Sequence, residues 1–325
     1  MRWKMLSKIK LAQTPTPVDE LPRLSSHLGG PQLVIKRDDL TGLAFGGNKV
    51  RKLEYLLADA RDQNADIVLT TGAVQSNHCR QTAAAAAREG LDCTLVLAGE
   101  EPDSPSGNNF LDQLLGAQIV WTSPAERDRT LGREVEVLKN AGRNPYLIPY
   151  GGSNSMGAFA YAMAVEELMA QLHGQVPDWI VFPSSSGGTQ AGLVAGARYF
   201  GLDTQILGVS VDEPAEALTA RVAELANEAA QLLGGGFSFT PQDILVNDEY
   251  IGEGYGVMSD LERGAIRDFA RWEGILLDPV YTGRAGGGML DLVQRGFFTS
   301  QERVLFWHTG GTPGLFADTY QSDIL

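Results

Sequence analysis

The sequence predicts an α/β protein built on mainly parallel sheets, and three observations carry that expectation. Short apolar runs rich in β-branched residues alternate with helical patterns along most of the 325 residues. Those runs are apolar at consecutive rather than alternate positions, as strands buried on both faces are. Several are followed by loops rich in Gly, Ser, Thr and Asn, the kind that face ligands at the carboxyl ends of open α/β sheets. Periodicity leaves a doubly wound sheet and a closed barrel equally open.

In order, Leu33-Val34-Ile35 marks a strand at 33–37, and Val50, Leu53, Leu56 and Leu57 mark a helix at 49–63. Ile67-Val68-Leu69 marks a strand at 66–71, and an alanine-rich helix follows at 77–89. A strand at 93–98, a helix at 109–115, a strand at 118–122 and a helix at 125–140 continue the alternation. A short strand at 146–149 leads to a helix at 155–173, and Ile180-Val181-Phe182 marks the strand at 179–183. A helix at 190–199 precedes a strand at 205–211, and helices follow at 215–233, 259–272 and 283–295. Val304-Leu305-Phe306-Trp307 closes the series with a strand at 303–308. Residues 234–240 and then 99–108 are the most loop-like, and no internal repeat is found.

Composition narrows the function classes. The chain is 43% hydrophobic and 20% charged, so it folds on its own core and is not disordered. With 40 acidic and 26 basic residues the net charge is −14, and no basic run suits a nucleic acid or an anionic membrane. Cys79 and Cys93 form no CxxC pair and the four histidines no metal-binding spacing, so no metal site is expected. Two cysteines suit a reducing compartment, although a bond between them stays open. No apolar h-region follows Met1-Arg2-Trp3-Lys4-Met5, and no run approaches the ~20 residues of a membrane span. A cytoplasmic protein is the expectation.

Five Gly/Ser/Thr/Asn loops are expected to run straight into helices. They are Phe45-Gly46-Gly47-Asn48-Lys49, Gly72 to Asn77, Gly151-Gly152-Ser153-Asn154, Ser184 to Thr189, and His308-Thr309-Gly310-Gly311-Thr312. In Ser185-Ser186-Gly187-Gly188-Thr189, small residues let successive N–H groups converge at a helix N-terminus, which forms a phosphate cradle. A plain N-cap and tight turn would account for that segment alone equally well. Lys49 follows a Gly-Gly pair at a helix start, where the dipole disfavours its ammonium form. Arg51 and Lys52 are expected to push the same way, toward the neutral amine that imine formation needs. A solvated surface lysine is the commoner outcome for any one lysine. Cradle and lysine together suggest pyridoxal phosphate (PLP). His78 beside Cys79 is assigned no catalytic role, because adjacent helical residues point apart.

At this point the sequence resembles the family of D-cysteine desulfhydrases and 1-aminocyclopropane-1-carboxylate (ACC) deaminases. The resemblance rests on Thr14-Pro15-Thr16-Pro17, Ile35-Lys36-Arg37-Asp38-Asp39, Gly46-Gly47-Asn48-Lys49-Val50-Arg51-Lys52-Leu53-Glu54 and Gln75-Ser76-Asn77-His78. It continues through Gly254-Tyr255-Gly256, Leu277-Asp278-Pro279-Val280-Tyr281-Thr282-Gly283 and His308-Thr309-Gly310-Gly311. It implies the fold type II architecture of PLP enzymes, two open, mainly parallel twisted sheets covered by helices. The implied division is a large PLP-binding domain, 1–50 plus 161–325, and a small inserted domain, 51–160. By resemblance, Lys49 is the imine-forming lysine, Asn77 bonds the pyridine 3′-oxygen, and Ser76 lies near the substrate carboxylate and Cα. Ser185, Ser186, Gly187, Gly188 and Thr189 form the phosphate cup. Tyr255 and Tyr281 are the active-site phenols, and Thr309, with Thr282 beside it, belongs to the cofactor set at the pyridine nitrogen. The family is commonly dimeric, so a homodimer acting on a small amino acid is expected.

The subgroup turns on electronics. ACC deaminases carry glutamate where this chain has Thr282, an apolar residue at Thr309, and a cysteine in the segment here reading Gly151-Gly152-Ser153. Two threonines fit the D-cysteine desulfhydrase pattern, a weaker electron sink that suffices for a good leaving group on Cβ. The expected reaction is α,β-elimination from D-cysteine to pyruvate, ammonia and sulfide, with Lys49 as the Cα base. An L-cysteate sulfo-lyase, an ACC deaminase and a non-catalytic PLP-binding homologue are the alternatives. Arg284, where relatives have lysine, and Gly286-Gly287-Gly288, expected to weaken their helix, depart from the pattern.

Overall fold

The computed structural model describes residues 6–324. The segment Met1-Arg2-Trp3-Lys4-Met5 lies outside the described residues. The chain forms two open sheets. The larger runs β1 (Val18–Glu20), β2 (Gln32–Arg37), β10 (Arg303–His308), β7 (Trp179–Ser184), β8 (Gln205–Ser210) and β9 (Leu245–Asn247) in spatial order. Only β1 pairs antiparallel, with β2, and the rest are parallel. The smaller sheet, β5 (Gln118–Thr122), β4 (Asp92–Ala98), β3 (Ile67–Ala73) and β6 (Pro145–Leu147), is parallel throughout. Neither sheet closes, which settles the choice left by periodicity in favour of open sheets.

Helices cover the faces. On one side of the large sheet lie α6 (Ser155–Gln171), α7 (Gly188–Phe200) and α8 (Ala215–Leu233), packing Phe159, Leu168, Leu193 and Val222 against Phe182, Leu305 and Trp307. On the other lie α1 (Pro22–Leu28), α9 (Asp260–Glu273) and α10 (Thr282–Gln294), packing Phe269, Met289 and Leu292 against Val181 and Phe306. The small sheet is covered by α2 (Asn48–Asp62) and α3 (Asn77–Glu89), and on its other face by α5 (Arg127–Asn140). The remaining helices are α4 (Gly107–Leu114) and α11 (Asp318–Ile324). Burying each large apolar side chain contributes about 1.5–3 kcal/mol.

The glycine run in α10 does not interrupt the helix. A Cβ at Gly287 would lie 2.6 Å from Leu261 Cγ, and one at Gly288 2.8 Å from the Tyr250 ring. These glycines allow α10 to touch α9 and the loop before it, and packing outweighs their low propensity.

A buried charge network joins the two halves. Asp38 accepts from Thr16 Oγ1 (2.9 Å), Arg51 Nε and Nη2 (2.9 and 2.8 Å), Tyr161 OH (2.6 Å) and Trp307 Nε1 (2.8 Å). Glu167 accepts from Lys36 Nζ (2.6 Å) and from Arg51 Nη1 and Nη2 (2.8 and 2.9 Å). The network ties α2 to β2, α6 and β10.

Candidate active site

The carboxyl ends of β3, β7 and β10 meet at a narrow cleft. It is lined by Lys49, Ser76, Asn77, Tyr150, the Ser184–Gly187 loop, Thr189, Tyr281 and Thr309, among others. Two glycine loops set its floor: a Cβ at Gly310 would lie 2.6 Å from the Cα of Gly47. That close approach places Thr309 beside the start of α2, where Asn48 N donates to Thr309 O at 2.9 Å.

Lys49 is buried there, and burial lowers its amine from 10.5 to about 8. Desolvation, rather than the helix dipole, is the main cause. Arg51 does not contribute, because it turns to the opposite face of α2 and pairs with Asp38. Lys52, one turn on, shares the Lys49 face, but contrary to expectation its hydrogen bond raises the Lys49 amine and so opposes the burial. Its Nζ donates to Gly151 O and Ser153 Oγ, each at 3.2 Å, and burial together with Lys49 drives its amine well down.

The cradle is shaped for an anion. α7 begins at Gly188 with Gly187 as N-cap in a left-handed conformation (φ +83°) and no side-chain cap. The Gly188 N–H meets Ser153 Oγ at 3.2 Å, and the N-cap residue itself offers no side chain to the N–H groups that follow. A Cβ at Gly188 would lie 2.6 Å from Ser153 Oγ and 3.0 Å from Lys52 Nζ. The Ser184 hydroxyl lines the cleft, buried and without a partner in the protein. Small residues, uncapped N–H groups, an unpartnered hydroxyl and a buried amine together fit a phosphate. Gly188 has helical backbone, so Gly188→Val is expected to weaken PLP binding about tenfold or more without unfolding the chain, read by cofactor titration of the apoprotein.

Ser76 caps α3 by accepting from Cys79 N at 3.2 Å, and its hydroxyl hydrogen remains free to donate. Tyr281 lines the cleft, and Tyr255 lies behind it, their hydroxyls 2.7 Å apart. Burial pushes both phenols well above their ordinary range, so both are protonated at neutral pH. Arg284 holds the loop that carries Tyr255. It pairs with Glu262 (2.6 Å) and donates to Val211 O, Gly254 O and Val257 O at 2.6, 3.0 and 2.7 Å. A lysine could not make this fork.

Thr282 is the one expected residue that the geometry turns away. It is fully buried, its Oγ1 donates to Asp278 Oδ1 at 2.7 Å and accepts from Asp278 N at 2.8 Å, and it does not line the cleft. Position α10 N1 makes it part of a local cap, and adjacency to Tyr281 in sequence concealed this. Sequence reasoning passed over Tyr150, which no motif distinguishes, and met Ser153 and Ser184 only as loop residues without a role. The cysteines are both free, and His78 bonds Thr70 Oγ1 at 2.8 Å, held neutral by burial.

A family profile described as pyridoxal-phosphate dependent enzyme matches residues 9–310. This chain belongs to that family. Its relatives include a D-cysteine desulfhydrase of Klebsiella pneumoniae (strain 342), 41% identical over 95% of each chain. One from Yersinia enterocolitica is 42% identical over 95% of this chain and 97% of its own. Among solved structures, one described as an ACC deaminase homologue superposes with a TM-score of 0.91 at 39% identity, over 99% of this chain and 97% of that one. The fold is thus fold type II, and the cofactor is pyridoxal phosphate.

Proposed function

We propose that this protein is a D-cysteine desulfhydrase, forming pyruvate, ammonia and sulfide by α,β-elimination, with site roles as the sequence suggested except at Thr282. The observation that carries the reading is a buried amine, Lys49, in a cleft that has an uncapped helix N-terminus and a protonated tyrosine pair. Its curated relatives of that name are supporting evidence. Bound PLP supplies an aldehyde that joins an amino group and a conjugated ring that takes up the electron pair left at Cα.

The chain's own residues do the rest. With PLP bound, Lys49 would serve as the general base at the substrate Cα, its amine lowered by burial to about 8. The Ser76 hydroxyl and the first N–H groups of α3 receive the substrate carboxylate. Tyr281 donates a proton to the departing thiolate, and Tyr255, hydrogen-bonded to it, can return one. The phosphate would be held by the Ser185–Thr189 cup with Lys52 beside it, the Gly188 N–H exchanging its bond to Ser153 Oγ for the ligand.

Two features favour a thiol over the alternatives. Among the described residues lining the cleft there is no carboxylate, so Thr309 is a neutral partner for the ring nitrogen. That suits a good leaving group better than the opening of a cyclopropane. Lys49 is the one cationic side chain among those lining residues, a poor match for the sulfonate of L-cysteate. The two-domain division, 51–160 within 1–50 plus 161–325, is part of this reading, supported by a small sheet lying wholly within 67–147. A cytoplasmic location is supported by two unpaired thiols. A homodimer is supported by the exposed apolar side chains of Phe45, Phe110, Leu114 and Phe316.

The test is pyruvate release from D-cysteine, β-chloro-D-alanine, L-cysteate and ACC. Turnover of the first two with ACC nearly inert is the expected pattern. Efficient ACC deamination with D-cysteine inert would falsify it.

A further inference from the structure

We propose that Asn108 is a positioning residue for Asn77, fixing which end of the Asn77 amide faces the cleft. Asn108 lies in the first turn of α4 and is fully buried. Its Nδ2 is 3.0 Å from the backbone carbonyl of Gln75 and 3.0 Å from Oδ1 of Asn77. Chemistry dictates those atom identities. A backbone carbonyl only accepts, so the Asn108 atom facing Gln75 O must be the amide nitrogen. That nitrogen also faces Asn77, so the Asn77 atom it meets must be the oxygen. The Asn77 nitrogen is left for the cleft that Asn77 lines.

Gln75 is set by the same logic. Its Nε2 donates to Ser106 O at 3.0 Å, which leaves Oε1 to accept from Asn108 N at 2.8 Å. The loop before α3 and the start of α4 are thus closed into a ring of hydrogen bonds with one consistent set of donors. The start of α4 is anchored on its far side as well. Ser106 Oγ accepts from Asp318 N at 3.1 Å, and a Cβ at Gly107 would lie 3.0 Å from both Ala317 Cβ and Pro313 O. Asn108 therefore transmits a fixed geometry to Asn77 without touching the ligand.

The inference rests on the reading that Asn77 serves the 3′-oxygen of PLP. That oxygen is ionised in the bound cofactor and needs a donor. An Asn77 turned the other way would set two acceptors against each other.

The experiment is a double-mutant cycle, Asn77→Ala, Asn108→Ala and both. The readouts are the PLP dissociation constant of the refilled apoprotein and the pH midpoint of the bound cofactor's visible absorbance change. Each single variant is expected to bind PLP about tenfold more weakly and to raise the midpoint by about half a pH unit, because a donor to the ionised oxygen is lost. Once Asn77 is alanine, Asn108→Ala should add less than about twofold, since its effect passes through Asn77. Additive effects overturn the proposal, as does a wild-type affinity and midpoint in Asn108→Ala when Asn77→Ala shifts both. No effect of Asn77→Ala shows that the underlying reading of Asn77 has failed, and the role of Asn108 falls with it. Should Asn108→Ala not fold, Asn108→Leu, of similar size and without a donor, replaces it, and it must weaken PLP binding and raise the midpoint in the same way, or the proposal is wrong.

Discussion

Lys49→Ala is expected to keep its fold and to lose elimination activity by roughly 10³-fold or more, because in the proposed mechanism one amine both anchors the cofactor and removes the Cα proton. Burying an amine is itself costly, so the cofactor-free variant should melt no earlier than the wild-type apoprotein. Borohydride treatment of the wild type followed by peptide mapping should place the PLP adduct on Lys49 alone, and an adduct on Lys52 or elsewhere would sink the assignment. The pH dependence follows from the same burial. Capture of PLP needs the neutral amine, so the capture rate should climb with a midpoint near 8, well below the ordinary 10.5. The sign for stability is opposite to that of a salt-bridged lysine. Between 8 and 10.5 the unfolded chain binds more protons at this site, so apoprotein stability rises with pH across that window. A flat capture rate through that range would show that Lys49 is not the titrating group.

Asp38→Ala should cost about 3–5 kcal/mol of stability, enough to threaten folding at 37 °C. The loss would leave the Tyr161 hydroxyl and the Trp307 N–H without their acceptor and the Arg51 guanidinium with Glu167 as its remaining carboxylate, all in a buried site. Arg51 and Lys36 hold Asp38 down to about 2 from 3.8, against the opposing effect of burial. Its contribution is thus complete above 3.8 and is lost as pH falls toward 2, which chemical denaturation across acid pH would register. A melting temperature within a degree or two of wild type would contradict the network's role.

Much of this was legible from sequence. The helices at 77–89 and 215–233 and the strands at 118–122 and 303–308 coincide with the structure, because long or strongly apolar segments leave little choice of element. The two-sheet arrangement was not in the periodicity, which cannot distinguish open from closed parallel sheets, and came from motif resemblance. The short elements β1, β9, α1 and α11 were missed, since three to seven residues carry too little pattern. For the site, Lys49, Ser76, Asn77, the Ser185–Thr189 cup, Tyr281 and Thr309 are brought to the cleft or its cup. What sequence could not supply was direction. Lys49, Arg51 and Lys52 read as one cationic string, yet helical geometry sends Arg51 to Asp38 and the two lysines to the cleft. Thr16, Lys36, Asp38 and Arg51 belong to three separate resemblance strings, and only the fold reveals them as parts of one ionic cluster. Thr282 shows the converse, a residue beside a lining tyrosine that is committed to a cap.

The buried cysteines have a consequence if the product is sulfide, as the proposed reaction has it. Cys79 begins one helical turn after Ser76, and burial raises its thiol well above the ordinary value, with Cys93 pushed up to about 12. Oxidants act on thiolates, and at neutral pH neither residue offers one. Without a sulfenic acid or disulfide in the core that backs α3, hydrosulfide would find no electrophilic sulfur to attack there. The protein can work in a stream of reactive sulfur and remain chemically inert to it, a form of self-protection that follows from where two small side chains were packed.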